Sequence, residues 1–135
     1  MTMATPYQER KLVAPAPNVE NQEFADATAQ GKLLVAKCNA CGEFHFYPRR
    51  ICPFCHSLDV KWVESKGTGS VYTFSVTRKA GPIVWTIAYV TLDEGPTMLT
   101  NIVDCDQDSV RIGQRVKVVF KTAENGYKVP MFTPA

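Results

Sequence analysis

Cys38, Cys41, Cys52 and Cys55 stand in a C-x2-C-x10-C-x2-C array. Two close pairs at the ends of a short connection bring four thiolates onto one ion, and zinc takes four such ligands tetrahedrally at about 2.3 Å. A doubled C-x2-C at this separation is far more specific than a single one. Four sulfurs close the coordination sphere and leave no position for an activated water, so the expected role of the ion is structural. The stretch that carries the array is too short to bury a core of its own. The ion, worth about 10–16 kcal/mol apparent in small zinc modules, is therefore expected to hold it folded.

Other reactive side chains carry weaker signals. Cys52-Pro53-Phe54-Cys55 has the form of a redox pair, but that chemistry needs a helix starting at the motif to lower the thiol pKa. Ser57-Leu58-Asp59 reads instead as a turn leading into a strand. Asp104, Asp106 and Asp108 resemble the start of a calcium loop, which requires Gly at the sixth position and Glu at the twelfth. Ser109 and Arg115 stand there, so a solvated acidic loop is expected. Cys105 has no His or Lys nearby in sequence to activate it and reads as a buried or idle thiol. His45 and His56 flank the cysteines and read as neighbours of the metal site or as surface residues. Phe44-His45-Phe46-Tyr47 precedes Arg49 and Arg50. Arginine forks match phosphate oxygens, so a ligand-contacting surface and plain solvent exposure both remain open for this run. Trp85 and Tyr89 read as barrel core or sheet-face packing. No Ser/His/Asp, Cys/His or paired-carboxylate constellation is apparent, so no catalytic residue is assigned.

The elements that must position these groups are mainly β. Residues 1–32 read as an extended, proline-bearing arm and a short helix from about Asn21 to Gln30. Asn18 or Asn21 is the candidate cap, Gly31 the terminator, and Phe24, Ala25, Thr28 and Ala29 the contact face. Residues 33–66 read as a rubredoxin-like zinc ribbon, with strands at Leu33 to Lys37 and Val60 to Glu64 around two cysteine knuckles. Residues 67–135 read as five strands. Tyr72, Phe74 and Val76 alternate, as do Ile83, Trp85, Ile87 and Tyr89, then Val116, Val118 and Phe120. Pro96 to Val103 supplies another strand, and Tyr127, Val129 and Met131 the last. Five short strands without a long helix fit a closed OB-fold barrel, with Asp104 to Gln114 where other such barrels place a helix.

Composition bounds the function classes. Hydrophobic residues make up 45% of 135, which is ordinary for a globular protein. The net charge of +2 is spread evenly and forms no basic stripe, which argues against strong nucleic-acid binding. The N-terminus lacks the layout of a signal peptide, and the run Ile83 to Val90 is too short to span a bilayer. Paired cysteines spaced for a metal point to a reducing compartment, so a soluble cytoplasmic protein is expected.

The order of short motifs resembles a known family. It runs from Gly31-Lys32-Leu33 through Cys38-Asn39-Ala40-Cys41-Gly42, Phe46-Tyr47-Pro48-Arg49 and Cys52-Pro53-Phe54-Cys55. Gly67 to Val76, Leu92-Asp93-Glu94-Gly95-Pro96, Arg111 to Val116 and the terminal Pro130 to Ala135 follow. The chain resembles, from about Phe24 onward, the zinc-ribbon/OB-fold proteins associated with acyl-CoA metabolism, long catalogued as a domain of unknown function. Many relatives carry Trp where this chain has Ala25. The resemblance implies a partner of thiolase-superfamily proteins: thiolases, ketoacyl-type acyltransferases, 3-hydroxy-3-methylglutaryl-CoA synthase or sterol-carrier-type aldolases. It implies a non-catalytic accessory subunit in a hetero-oligomer, with structural zinc and with acyl-CoA shared at the interface. Phe46, Tyr47, Arg49 and Arg50 are the candidates for that shared surface. The alternative reading is a single-stranded nucleic-acid-binding module, because both ribbon and barrel occur in that class.

Overall fold

A computed structural model describes residues 5–13, 15–79 and 81–135. The parts of the expected arm at residues 1–4 and 14 lie outside the described residues. Along the chain run α1 (Gln22–Ala29), β1 (Leu34–Cys38), β2 (Phe44–His45), β3 (Val60–Glu64), β4 (Thr68–Thr77), β5 (Trp85–Leu92), β6 (Thr97–Ile102), β7 (Arg115–Thr122) and β8 (Lys128–Pro134). β1–β3 form an antiparallel sheet of order β2-β1-β3, and β4–β8 close into a barrel of order β4-β5-β6-β8-β7. That order, a three-stranded meander whose first strand is then joined by β7, is the OB-fold. Between β6 and β7 stands only a 3-10 turn, Gln107–Ser109, in the segment where a helix is common.

α1 is short and ends at Gly31, whose φ of +78° suits glycine. The Lys32 amide donates to the Ala27 carbonyl and the Gly31 amide to that of Thr28, which satisfies the last turn. Asn21 is the N-cap, but its side chain makes no capping bond to the helix; its Oδ1 instead accepts from the Asn18 amide. The buried face is Phe24, Ala25, Ala27 and Thr28. Ala29, expected on that face, is exposed, because the helix rests on β1 and β8 with its inner stripe one residue earlier.

The barrel decides one open face assignment, putting Trp85 and Tyr89 on the outer sheet face, and corrects another. In β5 the buried side chains are Thr86, Ala88, Val90 and Leu92, so Trp85, Ile87 and Tyr89 point outward. In this strand the alternation turns Thr86 and Ala88 to the narrow interior and leaves the bulkier Trp85 and Tyr89 to cover the outside. Trp85 is packed on the outer sheet face under the Arg10 guanidinium, 4.7 Å from the ring centroid. Tyr72 does not share a face with Phe74 and Val76: a bulge between Val71 and Thr73 turns it outward, 67% exposed.

One hydrophobic core joins the helix, the ribbon and the barrel. Phe24 of α1 and Leu33 and Val35 at β1 belong to the same buried cluster as Val71, Val90, Leu92, Ile102, Val116 and Phe132 of the barrel. The arm is fastened along the barrel by polar contacts. The Gln107 amide donates to the Thr5 carbonyl, Arg10 donates to Asn101, and Lys121 bridges Glu9 and Asp104.

β4 passes close to β5 at Gly69, where a Cβ would lie 2.4 Å from the backbone oxygen of Thr91. Gly69→Ala is expected to destabilise the fold by about 1–3 kcal/mol, read from denaturant midpoints, since backbone must move to admit the methyl. In the β5–β6 turn, Asp93 accepts both guanidinium nitrogens of Arg115 at 2.9 Å, and the Thr68 hydroxyl donates to it as well. The Arg115 and Thr68 donors hold its carboxyl well below the usual carboxylate range. A depressed folded pKa stabilises above the unfolded value of about 3.9 and loses that contribution as pH falls toward the folded value. The stability gap between the natural chain and Asp93→Asn is therefore expected to be full at neutral pH and to shrink steadily below about pH 4 in acid-unfolding curves.

Candidate metal centre and the surface beside it

Two similar knuckles build the centre. Cys38 ends β1, and the Gly42 amide donates back to the Cys38 carbonyl at 2.9 Å. In the second knuckle the His56 amide donates to the Cys52 carbonyl, also at 2.9 Å. Gly42 has φ +80° and His56 has φ 64°, so each knuckle closes through a left-handed residue. Few non-glycine residues adopt that region, but histidine is among those that tolerate it best, so His56 can take the place glycine holds in the first knuckle. The Cys41 amide points at Cys38 Sγ and the Phe54 amide at Cys52 Sγ, each at 3.4 Å.

The four sulfurs converge within 4.8 Å of one another. Cys38 Sγ lies 3.6 Å from Cys55 Sγ, and Cys41 Sγ lies 3.7 Å from Cys52 Sγ. A tetrahedron with metal–sulfur bonds of about 2.3 Å has edges of about 3.8 Å, so the arrangement fits a tetrathiolate ion and is far too open for disulfides. The Cys41 amide draws the Cys38 thiol down to about 7, with burial opposing it. Burial raises the Cys52 thiol, but the Cys55 and Phe54 amides outweigh it and leave the pKa lowered. Backbone donors thus favour thiolate at one cysteine of each knuckle, Cys38 and Cys52, while at Cys41 and Cys55 they are outweighed by burial and the neighbouring sulfurs, which leave both raised.

Neither histidine belongs to this cluster. His45 is buried; neither ring nitrogen has a hydrogen-bond partner among the described residues. Burial pushes its pKa down, with the nearby Arg49 backbone opposing, so it packs as a neutral ring. His56 is exposed. Cys105 is buried at the far side of the core, where burial and then Asp106 push its thiol up. The acidic loop is fully employed: Asp104 pairs with Lys121, Asp108 with Arg78, and Asp106 accepts from the Thr5 amide.

The candidate surface residues have different fates. The Phe46 ring tilts against Phe24 at 5.6 Å and meets Tyr47 edge-on at 6.0 Å. Tyr47 is 55% exposed, and its hydroxyl accepts from Asn21 Nδ2 at 3.5 Å. Arg49 is exposed beside it. Arg50 is committed to the chain before α1: its amide donates to Glu20 and its guanidinium to the Val19 carbonyl. Sequence reasoning did not find the clamp at the ribbon–barrel junction. Glu94 there accepts from the Ser65 hydroxyl at 2.8 Å and the Lys66 amide at 3.0 Å. Its one signal was the turn motif Leu92 to Pro96 in which it sits. Nor did it find a cavity of about 630 Å³ between the arm, α1, Tyr47 and strands β6 and β8, which only the folded chain brings together.

Cys41→Ser is expected to abolish stoichiometric zinc in elemental analysis and to collapse the dispersed amide resonances of residues 34–64. Cys105→Ser, which touches no part of the centre, is expected to retain one zinc per chain. Equal zinc in both variants would contradict the four-sulfur assignment.

Comparison with known proteins agrees with this construction. Residues 25–61 match the family model described as "ChsH2, rubredoxin-like zinc ribbon domain", and residues 62–121 match "ChsH2, C-terminal OB-fold domain". A chain of the solved structure "Ltp2-ChsH2(DUF35) aldolase" superposes with a TM-score of 0.77 at 33% identity, covering 90% of this chain and 98% of that one. A DUF35-family protein of unknown function from Sulfolobus solfataricus shares the fold, at TM-score 0.64 and 16% identity over 87% of this chain and 86% of that one. A "DUF35 domain-containing scaffold protein" of Methanocaldococcus jannaschii is 36% identical over 97 residues, 66% of this chain and 67% of that protein. A Thermomonospora curvata "Probable enoyl-CoA hydratase alpha subunit" is 33% identical over 134 residues, which are 95% of this chain. This chain spans only 42% of that relative's length. The four clustered cysteines form the structural zinc site of the ribbon. Its ribbon, its barrel and its full-length likeness to a DUF35 chain place this protein in the DUF35 family, with the ChsH2 type of zinc ribbon and OB-fold.

Proposed function

We propose that this chain is a non-catalytic accessory subunit of a thiolase-superfamily enzyme acting on an acyl-CoA, a thiolase, acyltransferase or aldolase. In this reading it supports assembly of the complex and helps seat the thioester. The observation that carries the proposal is the likeness, over 90% of this chain and 98% of that one, to a chain of the Ltp2-ChsH2(DUF35) aldolase. The scaffold naming of archaeal relatives supports the same role.

The physical construction suits a scaffold. Zinc, a shared core and polar clamps hold ribbon, helix, arm and barrel against one another. A rigid body of this kind places a surface accurately, and positioning alone lowers reaction barriers by several kcal/mol. Tyr47 and Arg49 offer an exposed aromatic and an exposed guanidinium side by side, with Phe46 behind them and Arg50 bracing the segment. The second knuckle adds exposed Ile51, Phe54 and Leu58. Aromatic and arginine side chains beside exposed apolar ones are typical of protein interfaces. Four thiolates on zinc fit a reducing compartment such as the cytoplasm. No helix among the described residues is long and apolar enough to cross a membrane.

A nucleic-acid reading draws on Tyr72 and Tyr89, exposed on the barrel as stacking platforms. The chain's even charge, +2 in total, opposes it, because single-strand binding is dominated by phosphate neutralisation. Binding of single-stranded DNA that weakens steeply as salt rises would favour this second reading.

Co-production with a thiolase-superfamily aldolase or thiolase of the same cell is expected to yield a stoichiometric complex on size exclusion. Tyr47→Ala combined with Arg49→Ala is expected to weaken it by about 2–4 kcal/mol while leaving zinc content unchanged. Full activity of that enzyme in the absence of this chain, together with no complex, would contradict the proposal.

A further inference from the structure

The cavity beside Tyr47 has a chemistry of its own. Its volume, about 630 Å³, lies within the range of small-molecule sites. Five separate parts of the chain build it: the Pro15–Pro17 stretch of the arm, α1, the aromatic run after β2, strand β6 and strand β8. Its walls are apolar, chiefly Phe24, Phe46, Met98 and Leu99. Leu99 points outward from β6 and remains 52% exposed, so the cavity retains uncovered apolar surface.

The polar groups of the lining are neutral. Asn21 and Tyr47 hydrogen-bond each other at 3.5 Å, and Tyr127 enters from the turn before β8. Burial pushes the Tyr127 phenol up, with the hydrogen-bonded Thr28 hydroxyl opposing, so the phenol stays protonated. Among the described residues, no charged side chain lines the cavity. An anion in so apolar a cleft finds no charged partner on its walls and is penalised in proportion to the water it loses, which disfavours phosphates and free carboxylates relative to neutral groups. Apolar surface gains free energy on being covered, and the neutral hydroxyl and amide groups satisfy one polar end.

We propose that this cavity is a binding site for an uncharged apolar molecule carrying a single hydrogen-bonding group, with a medium-chain alcohol as its simplest representative. The site belongs to this chain alone and stands or falls independently of any partner enzyme. The nucleotide end of a coenzyme does not fit it; a neutral hydrocarbon tail does.

The test uses the full zinc-loaded chain with Nile red as a fluorescent reporter, displaced by 1-decanol, decane or decanoate. The expected result is one saturable site from which 1-decanol displaces the dye, with decanoate at pH 8 weaker by at least about tenfold. Leu99→Trp, which fills the mouth from an already exposed position, is expected to weaken dye and decanol by at least about tenfold. Ile112→Trp, 70% exposed and outside the lining, is expected to leave both unchanged. Tyr127→Phe is expected to weaken decanol several-fold while displacement by decane stays the same, which a merely structural role would not produce. Zinc content and melting temperature equal to the natural chain establish that each variant is folded. No saturable binding, undiminished binding in Leu99→Trp, or decanoate equal to decanol would overturn the proposal.

Discussion

The constraint on which the rest of this structure depends is the closure of two knuckles around one zinc by four thiolates. The ribbon sheet has only three short strands, and β2 contributes two residues. So small a unit cannot fold on burial alone. Yet its strand β1 ends directly on Cys38, and the same strand sends Val35 into the barrel core, with Leu33 just before it. The ion therefore fixes more than a loop. It fixes the register of a strand that completes a hydrophobic core shared with the barrel and α1.

From that anchor the other contacts gain their geometry. Glu94, reaching from the β5–β6 turn, holds the residues between ribbon and barrel at Ser65 and Lys66. Phe24 packs on Phe46 and so links the helix to the segment between the cysteine pairs. Lys121 gathers Glu9 and Asp104 while its ammonium lies 5.3 Å from the Tyr7 ring centroid, which draws the arm onto the barrel. Exposed ion pairs of this kind contribute little singly, but here several converge on the same loop and arm. The outcome is a body with few independently moving parts, which is what a scaffold for another protein's chemistry requires.

Much of this was legible in the chain before folding. The doubled C-x2-C named the ligands and the ion because tetrathiolate geometry constrains spacing tightly. Gly31 marked the helix end because few residues adopt its conformation without strain. Alternation located the barrel strands, but in β5 it could not say which face is inward. Trp85 and Tyr89 look like core by hydrophobicity, whereas the narrow barrel takes Thr86 and Ala88 instead. The bulge that turns Tyr72 outward depends on register against β5, which one strand alone does not encode. The Glu94 clamp and the cavity behind Tyr47 were illegible for the same reason: each is assembled from segments far apart in sequence.

The most direct test of the central claim is hydrogen exchange on the natural chain before and after complete zinc removal by a strong chelator. The account predicts that residues 34–64 lose protection entirely, that α1 and Leu33 lose it with them, and that re-addition of zinc restores all three. A metal-free chain whose ribbon and helix keep their full protection would contradict it.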